Sequence, residues 1–338
     1  MSPALAQQTC LVNGNPVAAT GGFPFSSIQG TNNDDEIVCD TTNNPRGASV
    51  SSGQGNDNIT ITGAASAASI SATLGSNTIT ISGDANTTSI TGNVAFGSGD
   101  DDLNISGGII GGNVTLGAGN DAFMMSGGQI NGYVSLGTTN RVTTFGGNNS
   151  FEMTGGQIGG DVYGQQEGDD FLVSGTGTVI VGNLFTGNST SSNPDIVTVR
   201  DGAAVMGDIR FGSDSFGEIT VDNATIGGIL VSTGQAARAI VRLSDAVVTR
   251  NISLTADSEI IDPSGSVVNI VFNGSNQNST LNFSNLTIAG SVFFALNGTQ
   301  VIDLRASTIA GNIGAAQTMN TLSPLELAFR EGSVEGTI

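Results

Sequence analysis

Residues 107–137 read GGIIGGNVTLGAGNDAFMMSGGQINGYVSLG and state one phrase twice, 20 residues apart. The copies are Ile110-Gly111-Gly112-Asn113-Val114-Thr115-Leu116-Gly117 and Ile130-Asn131-Gly132-Tyr133-Val134-Ser135-Leu136-Gly137. Generalised to apolar-x-Gly-x-apolar, the phrase starts at Ile70, Ile90, Ile110, Ile130, Ile158, Ile180, Val205, Ile226, Val248, Val268, Ile288, Ile309 and Val334. These 13 anchors are separated by steps of 20, 20, 20, 28, 22, 25, 21, 22, 20, 20, 21 and 25 residues. Gly is replaced only by Ala72 in the first anchor, Arg250 in the ninth and Ile270 in the tenth.

A second apolar pair precedes most anchors, as in Leu103/Ile105, Phe123/Met125, Phe151/Met153, Ile219/Val221 and Val241/Leu243. Both patterns alternate at period two, the periodicity of a strand. Ile, Val, Phe and Thr suit a pleated, half-buried surface. A strand of about five residues cannot bury its apolar face alone, but it can when stacked on a copy of itself ~4.8 Å away. A step near 20 residues is therefore one coil of a β-solenoid. The expected fold is all-β, a single-stranded β-solenoid of the right-handed parallel β-helix kind, with 13 coils and a length of roughly 60 Å. The anchor Gly is expected to point inward where the coil bends. A locally wider coil is expected at Arg250 and Ile270, where Gly is missing. An antiparallel sandwich, the competing architecture, would not hold one register over so many units.

Composition agrees. The 338 residues include 50 Gly but no Trp, no His and no Lys, and the net charge is −20. Such a chain lacks the basic clusters that nucleic acid requires, so no nucleic-acid partner is expected. Cys10 and Cys39 are the two cysteines, and an exported chain would pair them. Ala4-Leu5-Ala6 has the small-x-small form of a signal-peptidase site, so residues 1–6 are expected to be a signal-peptide remnant. Residues 7–50 lack the repeat and are expected to form an N-terminal cap closed by a Cys10–Cys39 disulfide. Residues 51–338 are the expected solenoid, truncated at its C-terminal end because Ile338 falls in an anchor. The long steps place extra residues near 138–149, 187–194 and 315–324, all after an anchor, so these loops should share one edge.

Chemistry is sparse. Without His there is no Ser-His-Asp triad. The nine Arg form no cluster in the sequence, and no catalytic residue is assigned. The Gly-Asp turns stand out: Gly53-x-Gly55-x-Asp57, Gly97-x-Gly99-Asp100-Asp101 and Gly117-x-Gly119-Asn120-Asp121. They resemble half of the calcium-binding nonapeptide of the RTX family. The last two lie one coil apart, which would stack Asp101 on Asp121. Such a stack is either a set of solvated turns or, with oxygen ligands shared between coils, a calcium site at Asp101 and Asp121.

Phrases such as "MSGGQINGYVSLG" and "ISGGIIGGNVTLGAGNDAF", together with the start "QQTCLVNGNPV…EIVCDTTNN", resemble the β-helical passenger domains of bacterial autotransporters. That resemblance covers residues 7–338. It implies a signal peptide, display outside a Gram-negative cell, and a C-terminal β-barrel in the outer membrane as partner. The expectation is a secreted or cell-surface passenger without enzymatic activity, an adhesin or spacer meeting a host or neighbouring-cell receptor or glycan. The alternatives are a polysaccharide-acting β-helix enzyme and a calcium-stabilised secreted solenoid.

Overall fold

Alternation sets the inside of every coil. The computed structural model describes residues 9–21, 26–84, 88–137, 147–189, 193–212, 215–231, 238–255, 258–261, 263–273, 279–295, 300–315 and 325–338. All regular elements among them are β-strands, and the stacked parallel strands form a β-solenoid of about 11 turns against the 13 anchors counted. The chain divides into two units, Met1–Gln166 and Glu167–Ile338. Residues 1–6, with the expected cleavage site, lie outside the described residues.

In the first unit, parallel register aligns Ile37, Ile59, Ile79, Leu103, Phe123 and Phe151 as one inward column. None is more than 1% exposed. Two positions on, Cys39, Ile61, Ile81, Ile105, Met125 and Met153 form the next column. The anchors supply two more: Ile90, Ile110, Ile130 and Ile158, then Val94, Val114, Val134 and Val162. The first anchor is out of register with the rest: Ile70 pairs with Val94 in the second of these columns, Ala67 pairs with Ile90 in the first, and Leu74, expected inward, is exposed. Burying one Val, Leu, Ile, Phe or Met side chain in these columns contributes roughly 1.5–3 kcal/mol.

The anchor is a corner, and the inward glycine expected from sequence is not found in this unit. Ile110 ends one strand, Ile109–Ile110, and Val114 begins the next, Val114–Thr115. Gly112 lies in the bend between them, half-buried, where a Cβ would come within 2.6 Å of the Gly92 carbonyl in the neighbouring coil. Close approach of two backbones, one above the other, excludes a side chain. Asn follows the glycine for a complementary reason. Asn93 Oδ1 accepts the Asn113 N–H at 2.9 Å, and Asn113 Oδ1 accepts the Tyr133 N–H at 3.1 Å, satisfying corner amides that no strand reaches.

At the start, Thr9–Val12 and Asn15–Ala18 form an antiparallel hairpin. Its turn, Asn13-Gly14, has positive φ at both residues, 52° and 75°, as a two-residue hairpin loop requires. Thr9–Val12 also pairs antiparallel with Glu36–Cys39, covering the outer edge of that strand. Cys10 and Cys39 are disulfide-bonded, with Cα atoms 4.7 Å apart. Parallel stacking already begins inside the stretch expected as a cap: Ser27–Gln29 pairs with Ser49–Ser51, and Glu36–Cys39 with Asn58–Ile61.

In the second unit the columns are Phe171, Val197, Ile219, Val241 and Ile260, then Ile180, Val205, Ile226 and Val248, then Leu184, Ile209, Ile229 and Ile252. The inward residue after Ile226 is Ile229 and not Leu230, which the anchor pattern implied and which is exposed, so that corner is one residue shorter. Here strands such as Ala204–Phe211 and Thr225–Val231 run through the corner, with a register shift between Val205 and Asp208 in place of a break. The coil at Ile270 is tighter, not wider. Val248 pairs with Val267 and Ile252 with Ile270, so the corner loses one residue and the inward anchor is Val267 rather than Val268. Three strands, Ser279–Ser284, Gln300–Arg305 and Leu325–Arg330, make a separate parallel sheet.

Candidate functional site

The Gly-x-Gly-Asp turns stack, and stacking dictates each residue. Gly99 and Gly119 have φ of 124° and 144°, a region that L side chains rarely enter. A Cβ on Gly119 would run into the carbonyl oxygen of Gly99 one coil away. Gly119→Ala is expected to cost roughly 1–3 kcal/mol, read as a lowered urea midpoint. Gly177→Ala provides a control for left-handed strain alone. Its φ is 86°, but nothing lies within 4 Å of its added Cβ.

The carboxylate after each turn is built into a ladder. Asp57 Oδ1 accepts the Asp35 N–H at 2.9 Å, Asn77 Oδ1 the Asp57 N–H at 3.1 Å, and Asp101 Oδ1 the Asn77 N–H at 2.8 Å. Asp121 Oδ1 then accepts the Asp101 N–H at 3.0 Å, and Asn149 Oδ1 the Asp121 N–H at 2.9 Å. Beside it an outer ladder runs the opposite way: Asp34 accepts from Asn56 N–H at 2.8 Å, Asp100 from Asn120 N–H at 2.8 Å, and Asn120 from Asn148 N–H at 3.0 Å. Each turn is thus tied to both neighbouring coils by adjacent side chains. The second unit repeats the inner contact once among these bonds, Asp195 Oδ1 accepting the Asp169 N–H at 3.1 Å.

The expectation that Asp101 and Asp121 stack one coil apart holds, but they are not solvated. Asp101 is 0% and Asp121 2% exposed. Their Oδ2 atoms, like those of Asp57 and Asp195, are buried without a hydrogen-bond partner. Burial pushes the carboxyl of Asp101 up to about 6, against hydrogen bonds from Asn77 that favour its charge. Burial, helped by neighbouring Asp101, pushes Asp121 up to about 7, and burial also raises Asp195 to about 7.

The Asn rungs show what the turn accommodates. Asn77 Nδ2 donates to the Gly75 carbonyl at 2.8 Å, and Asn149 Nδ2 to that of Gly147 at 3.0 Å. The equivalent atom of Asp121 is an oxygen, which can donate only when protonated. A folded-state value above the usual 3.8 means that the folded chain holds protons that the unfolded chain releases. The stabilising contribution is complete below about pH 4 and is lost as pH rises toward about 7. Melting temperature is expected to fall by on the order of 5 °C from pH 5 to pH 8. Asp121→Asn should raise the melting temperature at pH 8 and flatten that slope.

Asp169 is fully buried while Asp170 is exposed, so adjacent carboxylates point apart. Structure gathers Arg that the sequence left scattered: Arg210 and Arg250 both reach Asp208 at 3.0 Å. Arg250 is exposed and its pairing is worth little. Among the described residues no group of three or more His, Cys, Asp or Glu is assembled to hold a metal ion. The insertions lie largely outside the described residues, at 138–146, 190–192 and 316–324. The Asx ladders and the Asn corner were missed, although the recurring Gly-Asn pairs at 92–93, 112–113, 182–183 and 311–312 were their signal. No family model, curated protein or solved structure matches the chain.

Proposed function

We propose that the chain is a non-catalytic β-helical passenger, exported and displayed at the surface of a Gram-negative cell, where it acts as an adhesin or spacer. The observation that carries this reading is the in-register stack of coils, sealed at its start by a buried disulfide. Such a fold resists an oxidising exterior and offers outward rows of side chains at fixed spacing. An outer-membrane β-barrel in the same full-length protein and a receptor or glycan on a facing cell are the partners this reading implies. Beads coated with the chain should adhere to host or neighbouring cells, and deletion of 139–148 together with 188–193 should abolish adhesion. Undiminished adhesion after both deletions removes the loop-edge version. Release of reducing ends from a polysaccharide panel would favour the enzyme alternative instead.

A calcium-stabilised solenoid is the second reading, favoured by the buried unpartnered Oδ2 atoms of Asp57, Asp101 and Asp121. In that reading Asp101 and Asp121 contribute oxygens to one cation bridging two coils. Calcium should then raise, and chelator lower, the melting temperature of the whole chain. A melting temperature indifferent to both ends this reading.

A further inference from the structure

On the outer side of the first unit, alternation leaves Asn104, Met124 and Glu152 as successive rungs of one row. Next to them the strand Ser150–Ile158 shifts register against Ala122–Ile130, between Met125 and Ser126. Ser126 then pairs with Gly155, and the skipped residue is Thr154. Irregularities of this kind bend a strand and re-aim its side chains. The result is a groove of about 220 Å³, lined among others by Asn104, Ser106, Met124, Ser126, Glu152 and Thr154. That volume suits one side chain and is below the roughly 300–1,000 Å³ of small-molecule pockets.

We propose that this groove binds an aliphatic primary ammonium group, as carried by a lysine side chain of a partner polypeptide, with Met124 along the hydrocarbon stem and Glu152 at the charged head. Glu152 is the one ionisable group lining the groove, so charge selects a cation. Among the described residues no ion pair or hydrogen bond occupies its carboxylate. Met124 is 48% exposed, an unbranched thioether laid beside the acid, and such a side chain adapts to a methylene stem. An ammonium group carries three donors, and the hydroxyls of Ser106, Ser126 and Thr154 are acceptors on three successive coils. No aromatic ring lines the groove to stack a sugar, and no basic group lines it to hold an anion. The surroundings reinforce the sign: residues 1–166 carry 12 acidic residues against two Arg. The chain has no Lys, so no side chain of a second copy supplies the ligand.

The test uses the whole chain with its six Met labelled at the 13C methyl, in about 0.15 M salt to suppress non-specific attraction. The probes are a blocked pentapeptide with one central Lys, the same peptide with acetyl-lysine, the same peptide with Arg, and butylamine. The Lys peptide should shift the Met124 methyl saturably while leaving Met206, 50% exposed in the other unit, unmoved. Butylamine should compete at the same methyl, and acetyl-lysine should be silent. Glu152→Gln should weaken binding about tenfold or more, while Glu36→Gln, the same charge change elsewhere, should leave it unaltered. An unchanged Met153 methyl certifies the fold of each variant. Silence of Met124, equal movement of Met206, equal affinity in Glu152→Gln, or equal affinity of the Arg peptide would each overturn the assignment. None of these outcomes depends on adhesion or export.

Discussion

Phe123→Ala is expected to destabilise the first unit by about 3–5 kcal/mol. Phe123 is fully buried in the column between Leu103 and Phe151. Its ring lies 4.7 Å from that of Phe151, at an interplanar angle of 2°. Truncation removes a stacked pair worth about 0.5–1.5 kcal/mol beyond its area. It also opens a cavity whose walls belong to three different coils, and these cannot collapse without shifting the ladder hydrogen bonds. Repeat arrays can unfold piecemeal. Amide exchange at Asp102–Ile105 and Ser150–Ile158 should therefore accelerate with the loss of the urea midpoint, while strands of the second unit stay protected. Met124→Ala, one residue away but outward, should change stability by less than about 0.5 kcal/mol. Equal effects of the two substitutions would mean that the alternation has been misassigned.

Replacing Cys10 and Cys39 by Ser is expected to cost about 3–4 kcal/mol, the loop-closure value for a 29-residue separation. The loss should be local at first. Thr9–Val12 and Asn15–Ala18 are joined to the rest of the unit mainly through strand pairing with Glu36–Cys39, with one further backbone bond from Thr9 N–H to the Asn44 carbonyl, so the hairpin should exchange its amides before the stack melts. Cys39 also occupies a rung of the inward column above Ile61. Cys10 is equally buried, so each single Ser variant both opens the disulfide and places a hydroxyl in an apolar site, and each should cost about as much as the double variant or more. Thermal melts of the two single variants and the double variant separate these terms.

The apolar columns were readable in sequence because period-two alternation and a near-constant step are both local signals. Ile110 and Val114, or Phe123 and Met125, declare their side by spacing alone. The corner was not readable in the same way. An apolar residue, a spacer, Gly, a spacer and a second apolar residue look like one strand whether the middle residue points inward or turns the chain. Only the carbonyl of Gly92, 20 residues back, shows why Gly112 is required. The acidic ladder is hidden for the same reason. Asp121 beside glycines resembles a solvated turn, and the N–H it satisfies belongs to Asp101 in another coil. At Ile270 the periodic pattern misled by one residue, since Val267 and Val268 are both apolar and pairing with Val248 selects the first. Asn13-Gly14 is a local hairpin signal, since both residues adopt the positive φ that a two-residue loop needs. The groove rested on Met124 and Glu152 being outward, which the inward pairs Phe123/Met125 and Phe151/Met153 already required.

Parallel, in-register stacking of successive coils is read out by nuclear Overhauser contacts among Ile79, Leu103, Phe123 and Phe151 in a selectively labelled chain. Contacts should link Ile79 to Leu103, Leu103 to Phe123 and Phe123 to Phe151. Ile79 and Phe151, three steps apart or about 14 Å, should show none. A direct contact between Ile79 and Phe151, or the absence of the three sequential ones, would contradict the stack.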